Sequence, residues 1–485
     1  MKIITDGKIN KTYVQSLCMA FFHGESFHAG ESGDLSLTVK TIDTPTGIIC
    51  NAKFSTTAKN ASAESFAGFE NGEAYEKTSK KAIGKAVYEA GVNLTGKKLP
   101  WGTLTGIRPT NVATSLINSY GDEKAAQILK SEYMLSEKKA KLVIEVAKNE
   151  NKILSLASEN TCSVYISIPF CPSRCTYCSF ISYATPKLFS LMPRYIEKLT
   201  QEIKVTFETI KALGFKVLCV YIGGGTPTIL DEKDLESILS CISDCVDTSS
   251  LLEFTLEGGR PDTITDGKLK AAKLYGVSRI SVNPQSLNDN VLKTIGRNHT
   301  VSDFISAYGK VESSGIPHIN TDLIAGLESD TNESFKNTVD RIISLSPDNV
   351  TVHTFCVKKA SQALKNDGDI YTKDNGCAEY GVDYAYARLT ECGYEPYYLY
   401  RQKNTVSDLE NVGYCKKGTE GIYNVFMMAD VHTVFGVGAG ATTKLVRKNG
   451  IKTEIKRIFS PKYPYEYLQD NQEKESEISE FFKRR

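Results

Sequence analysis

Two rhythms of apolar positions divide this chain, and one gives way to the other at Thr161. Beyond it, short apolar runs recur about every 30 to 40 residues, each followed by an amphipathic stretch. The runs predict strands over Ser163–Pro169, Lys216–Ile222, Leu251–Leu256, Arg279–Asn283, His318–Ile324 and Asn349–Phe355. The stretches between predict helices over Phe189–Leu213, Glu232–Cys245, Asp266–Tyr275, Val301–Ser313 and Glu333–Leu345. In and just before the first of these, Leu188, Leu191, Ile196, Leu199, Ile203, Phe207 and Ile210 share a stripe. Strand–helix alternation makes a parallel sheet with right-handed crossovers. Six such units are fewer than a closed barrel needs, so the expected fold is α/β, a partial (β/α)6 barrel. Functional side chains are then expected at the carboxyl ends of its strands.

Residues 1–155 follow the other rhythm. Leu35–Ile42 and Gly47–Phe54 alternate and predict a hairpin around Asp43-Thr44-Pro45-Thr46. Ala74–Gly91 predicts a helix ending before the turn at Gly96, and Asn111–Tyr120, Asp122–Tyr133 and Ser136–Asn149 predict three more. Trp101–Pro109 holds the only tryptophan, two glycines and a proline, which implies a shaped loop. Its Arg108 could meet an anionic ligand or the next domain; equally, the loop could be a packed connector. After residue 356, Ala378–Cys392 predicts a helix, Tyr394–Gln402 is rich in aromatics, and Phe435–Gly440 is a glycine turn. Phe481–Arg485 is expected to fray. The expected domains are an α+β accessory domain at 1–155, the partial barrel at 156–356, and a small substrate-covering domain at 357–485.

With 485 residues the chain is too long for one core, and 41% hydrophobic with 24% charged residues is ordinary for a globular protein. Lys plus Arg number 58 against 57 Asp plus Glu, so no nucleic-acid partner is expected from overall charge. Thirteen cysteines, an odd number, point to a reducing compartment, and a cytoplasmic location is expected. The first residues lack the apolar core of a signal peptide, and no run of about 18 apolar residues suggests a membrane span.

The chemistry gathers where the strands should end. Cys171-Pro172-Ser173-Arg174-Cys175-Thr176-Tyr177-Cys178 follows the first strand, with no fourth cysteine or histidine at zinc-like spacing. A structural zinc site wants four protein ligands. Three thiolates on one loop suit an iron–sulfur cluster with one iron left open. The second strand ends in Gly223-Gly224-Gly225-Thr226-Pro227, where glycines let backbone approach a ligand and proline fixes the exit. The third ends at Glu257, before Gly-Gly-Arg-Pro-Asp262, and the fourth near Gln285, with Arg297 and His299 beyond. The fifth carries Asp322, then Gly326, and the sixth carries His353. Phe435–Gly440 lacks the Lys-Ser/Thr of a phosphate-binding loop, and Cys241 with Cys245 reads as a pair of buried thiols.

Tyr165-Ile-Ser-Ile-Pro-Phe-Cys171, the cysteine loop, Gly223–Pro227, Glu257, Gln285, Arg297 and Asp322 resemble the radical S-adenosylmethionine (SAM) family of oxygen-independent coproporphyrinogen III dehydrogenases. Trp101–Pro109, Tyr397–Lys403 and Glu410–Tyr414 resemble its HemZ branch. The resemblance implies a [4Fe-4S] cluster on Cys171, Cys175 and Cys178. It implies SAM on the open iron, with Gly224, Gly225 and Thr226 along the methionine, Glu257 near the amino group and Arg297 on the carboxylate. Gln285 and Asp322 would bond the ribose hydroxyls, Tyr177 would stack near adenine, and Tyr165 would help hold SAM. The implied reaction turns propionate side chains of coproporphyrinogen III into vinyl groups through a 5′-deoxyadenosyl radical, with an electron donor such as flavodoxin or ferredoxin.

Three positions depart from the family pattern. Ser167 stands where a histidine is frequent, Glu328 follows Gly326-Leu327 in place of proline, and Phe180 stands where an extra cysteine is frequent. A macrocycle with several carboxylates needs aromatic walls and cations, for which Lys358, Lys359, Arg401, Lys403 and Lys444 are candidates. Two other readings keep the same scaffold: a haem chaperone, which Phe180 suits and the long N-terminal block opposes, and a methyltransferase that opens haem.

Overall fold

The computed structural model describes residues 1–22, 25, 34–70, 74–178, 184–356, 376–402, 405–449, 452–470 and 474–483. They fall into two compact units. The first holds Met1–Lys148 and Leu399–Asn411; the second holds Asn149–Asn366, Cys377–Tyr398 and Val412–Arg485.

In the first unit β1 (Lys2–Asp6) leads to α1 (Lys11–Phe21), then β2 (Leu35–Thr44), β3 (Gly47–Thr56), β4 (Asn60–Gly68) and α2 (Tyr75–Thr95). The sheet runs β1-β2-β3-β4, parallel at the first pairing and antiparallel at the others. The expected hairpin forms, with the Thr44 hydroxyl accepting from Gly47 N at 3.0 Å inside its turn. Val14, Leu17, Leu37, Val39, Ile48, Phe54, Ile83 and Val87 close a core between the sheet and the two helices. β4 has no legible signal in sequence, because Asn-Ala-Ser-Ala-Glu-Ser-Phe-Ala-Gly is mostly small and polar. It is a strand because β3 offers it an unpaired row of backbone groups. α2 ends at Gly96, whose φ of 72° is the left-handed cap that glycine adopts without strain.

Three more helices follow, α3 (Pro109–Tyr120), α4 (Asp122–Ser131) and α5 (Glu137–Leu154). The Trp101 loop is packed. Trp101 is fully buried, its indole N–H donates to Glu410 Oε2 at 2.6 Å, and Lys139 Nζ reaches Glu410 Oε1 at 2.7 Å. Of the two readings of this loop, the packed connector is the one its tryptophan fits.

All six strands expected after Thr161 form, in chain order and parallel to their neighbours: β5 (Thr161–Ile168), β6 (Lys216–Gly224), β7 (Glu253–Glu257), β8 (Arg279–Ser281), β9 (His318–Ala325) and β10 (Asn349–Thr354). Helices return between them: α6 (Pro186–Phe189), α7 (Met192–Ala212), α8 (Glu232–Cys245), α9 (Asp266–Leu274), α10 (Asp289–Thr294), α11 (Val301–Ser314) and α12 (Asn332–Leu345). The first expected helix is split before Met192, because Pro193 has no N–H and belongs in a first turn. Ile196, Leu199, Ile203, Phe207 and Ile210 are its buried stripe.

The tail does not stand as a block of its own. After α13 (Cys377–Glu391) come β11 (Glu395–Arg401), β12 (Glu410–Cys415), α14 (Ile422–Met428), β13 (Thr433–Val437), β14 (Thr442–Asn449) and β15 (Lys452–Phe459). The full sheet is ordered β11-β12-β10-β9-β8-β7-β6-β5-β13-β14-β15. β13 joins parallel to β5 and β12 antiparallel to β10, so the tail satisfies both edges that six parallel strands leave open. Two helices close the described chain, α15 (Pro464–Gln469) and α16 (Lys474–Lys483). Phe481, expected to fray, is buried, and its neighbour Phe482 packs on Phe215 with ring centres 5.0 Å apart. Among the described residues no helix is long and apolar enough to cross a membrane.

Candidate active site

The glycine loop after β6 is hydrogen-bonded to the start of the cysteine loop. Gly225 N donates to Ile168 O and Thr226 N to Phe170 O, both at 2.8 Å. Side chains are excluded here: a Cβ on Gly225 would meet Phe170 O at 2.4 Å, and Gly224 has a φ of +117°. The glycines thus serve the fit of two loops, whatever else they admit. Cys171 Sγ lies 3.1 Å from the Thr226 hydroxyl. Cys178 N donates to Cys175 O at 3.2 Å, and Thr176 N to Ile295 O at 3.1 Å, so the loop is also held to α10's end. Cys171 and Cys175 are buried and Cys178 is half-buried, and none of the three is in a disulfide. Among the described residues, no three His, Cys, Asp or Glu side chains close on one point as metal ligands do, these three included.

Glu257, at the end of β7, accepts from Gly224 N at 3.2 Å. Burial, with Asp322's charge added, raises its carboxyl to about 8 against that bond. Asp322 on β9 is bonded by Asn283 Nδ2 and Asn320 Nδ2, each at 2.8 Å, and His353 Nε2 lies at 3.9 Å. Burial alone would raise Asp322, but its bonds from His353 and Asn320 outweigh it and the group sits below the usual range. Gln285 has φ +68°, a left-handed conformation held from both sides: its N donates to Asp322 O and its O accepts from Ile324 N, each at 3.0 Å. Its side-chain Oε1 and the Ser281 hydroxyl are buried without a partner. Arg297 is held by neutral acceptors, the Tyr177 phenol and the carbonyls of Gly259 and Asn283 at 3.3 and 3.1 Å.

The fold therefore brings the cysteine loop, Gly224–Thr226, Glu257, Gln285, Arg297 and Asp322 to one end of the sheet, and ties most of them pairwise. Tyr165 lies in a stack of phenols and feels the Glu257 charge: its ring is 6.1 Å from Tyr221 and 6.3 Å from Tyr423, which are themselves 4.5 Å apart. Tyr423 lies on α14, and nothing local in sequence connects it to β5. Arg260, three residues past the end of β7, is buried with Nη1 3.5 Å from Cys175 Sγ, a contact that the sequence does not reveal. Ser167 is a buried structural hydroxyl donating to Ala439 O at 2.8 Å.

Two cation candidates are corrected. Arg401 is buried, bonds Leu104 O and the Asp408 carboxylate, and stacks 5.2 Å over Trp101. Lys444 is buried and donates to the carbonyls of Phe426, Met427 and Ala429, at the end of α14. An aromatic stretch with a cation looks the same whether it walls a ligand or a core. Lys358, Lys359, Lys403 and Phe180 lie outside the described residues.

A sequence model of the radical SAM superfamily matches residues 165–342. The oxygen-independent coproporphyrinogen-III oxidase-like protein HemZ of Bacillus subtilis is 35% identical over 400 residues, 81% of this chain and 79% of that protein. The heme chaperone HemW of Bacillus subtilis is 28% identical over 312 residues, 62% of this chain and 77% of that protein. Coproporphyrinogen III oxidase (HemN) from Escherichia coli, a radical SAM enzyme of known structure, shares the fold with a TM-score of 0.50 and 20% identity, over 67% of this chain and 71% of that one. A [4Fe-4S] cluster and SAM, the cofactors of this superfamily, suit the chemistry of the donors present: three thiols on one loop, none in a disulfide, and unpartnered buried polar atoms at Gln285 and Ser281 among the strand ends. The chain belongs to the radical SAM superfamily and, within it, to the family of HemZ oxygen-independent coproporphyrinogen-III oxidase-like proteins.

Proposed function

We propose that this protein is an oxidoreductase of tetrapyrrole synthesis that converts coproporphyrinogen III to protoporphyrinogen IX without oxygen. The likeness to HemZ over 81% of the chain carries this reading. Cys171, Cys175 and Cys178 hold the cluster, which with SAM supplies a radical able to take hydrogen from a propionate carbon. Two of the four propionates would each lose that hydrogen atom, carbon dioxide and one electron to become a vinyl group, with an external acceptor taking each electron. Arg297 faces the SAM carboxylate with a charge that its neutral acceptors leave uncompensated. Gly224 and Gly225 leave room along the methionine, Gln285 and Asp322 bond the ribose, and Glu257 accepts from the amino group in its ionised form. A small protein such as flavodoxin or ferredoxin delivers the cluster's electron.

A haem chaperone is the second reading, supported by the HemW match over 62% of the chain. Mass spectrometry of an anaerobic reaction with SAM, reductant and coproporphyrinogen III separates the two. Vinyl products with masses lower by two successive decarboxylations support the enzyme; tight haem binding with no such product supports the chaperone.

A further inference from the structure

In the segment Gly258-Gly259-Arg260-Pro261-Asp262 only the Gly259 carbonyl, an acceptor for Arg297, has a part in the roles assigned above, yet the segment is built to hold one side chain in place. Gly259 N donates to Ser281 O at 3.0 Å, and a Cβ on Gly258 would meet that same oxygen at 2.5 Å, so the turn lies hard against β8. Thr263 donates to Arg260 O through both its N, at 3.1 Å, and its hydroxyl, at 2.8 Å. The side chain that leaves this locked turn is 4% exposed and has one acidic partner among the described residues, Asp262, at 3.2 Å from Nε. Asp262 is itself 30% exposed, so water weakens its hold on the buried charge. Arg260 Nη1 lies 3.5 Å from Cys175 Sγ, and Nη2 is buried without a partner.

A buried arginine that spends one edge on a carboxylate and presents the other to sulfur is costly unless something anionic completes it. We propose that Arg260 is the positioning residue that sets the cluster's redox poise through Cys175, making the cluster easier to reduce. This rests on the reading of Cys175 as a cluster ligand. Cluster potential follows net charge and the hydrogen bonds made to the ligating sulfurs. Each added electron puts one more negative charge on a group that three thiolates already make negative. A fixed guanidinium against one of those sulfurs stabilises the reduced state more than the oxidised, and its N–H bond to the sulfur acts in the same direction. It also keeps Cys175 aimed at one point while the cluster is assembled.

The test uses the full chain, reconstituted anaerobically, with R260K, R260Q and C175A beside it. Iron content is measured first: loss of iron in C175A secures the ligand reading, and retained iron there would overturn that reading independently of Arg260. The midpoint potential of the cluster is then followed by electron paramagnetic resonance in a redox titration. In R260Q the reduced-to-oxidised ratio at the wild-type midpoint falls about tenfold, equal to about 59 mV for one electron. R260K, which keeps the charge, shows less than half of that shift. A wild-type midpoint in R260Q, equal shifts in both variants, or loss of the cluster from both, would overturn it.

Discussion

The phenol oxygen of Tyr177 accepts from two nitrogens of the Arg297 guanidinium, Nη2 at 3.0 Å and Nε at 3.3 Å. One residue sits inside the cysteine loop and the other follows α10, so this contact ties the loop to the strand ends. It also spends two donors of Arg297 on a neutral oxygen, which leaves the charge available to an anion.

Replacing Arg297 with alanine is expected to weaken SAM binding by about 1.5–3 kcal/mol, the worth of a hydrogen bond to a charged group. Tyr177→Phe keeps the charge and the ring and removes only the shared acceptor, so a smaller loss is expected. Calorimetric titration of SAM into the reconstituted protein measures both. Equal losses in the two variants would mean that Arg297 acts only by holding the loop.

Cys175→Ala is expected to lose the bound iron and with it SAM cleavage, while the fold by circular dichroism stays. Three thiolates are the minimum for holding the cluster with one iron open. Iron and sulfide analysis after anaerobic reconstitution decides it; full occupancy in the variant contradicts the assignment.

Glu257 gives a pH prediction that needs no cofactor. Its carboxyl is raised in the folded protein to about 8, through burial first and Asp322 second, from the ordinary 4.5. The folded state therefore binds more protons than the unfolded one between these values. The group's contribution to stability is whole below about 4.5 and is lost as pH rises to about 8. Urea unfolding of the unloaded protein at pH 6 and pH 8 is expected to show that fall, and Glu257→Gln is expected to flatten it. The same slope in both proteins would assign it to another group.

The Lys139–Glu410 pair is buried on both sides, with side chains 5% and 0% exposed at 2.7 Å. Glu410→Ala takes the carboxylate away from a buried ammonium, and also strips Trp101 of its acceptor, so a loss of about 3–5 kcal/mol of stability is expected. Arg401→Ala is expected to lower the melting temperature too, yet to leave the KM for a porphyrinogen unchanged, since its donors serve Leu104 and Asp408. Thermal denaturation and steady-state kinetics together check this; a raised KM would return Arg401 to the substrate site.

Residues close in sequence were legible because their periodicity is local chemistry. The six parallel strands were readable from apolar runs that need no partner to be identified, and α8 spans Glu232–Cys245 as its amphipathic pattern implies. The cysteine loop, the glycine loop and Glu257 were readable for a similar reason: a strand end followed by unusual residues is a feature of consecutive positions. β4, whose small residues only become a strand against β3, needed its neighbour. So did the placement of β13 beside β5, which is decided by backbone groups left unpaired some 270 positions earlier, as the register Thr433–Cys162 shows. Arg401 and Lys444 look like substrate contacts in sequence because charge is visible there, whereas burial and pairing are not. Arg260 against Cys175 and Tyr423 against Tyr165 are contacts between distant parts of the chain, and only the tertiary structure, by closing those separations, decided what each charge and each ring would face.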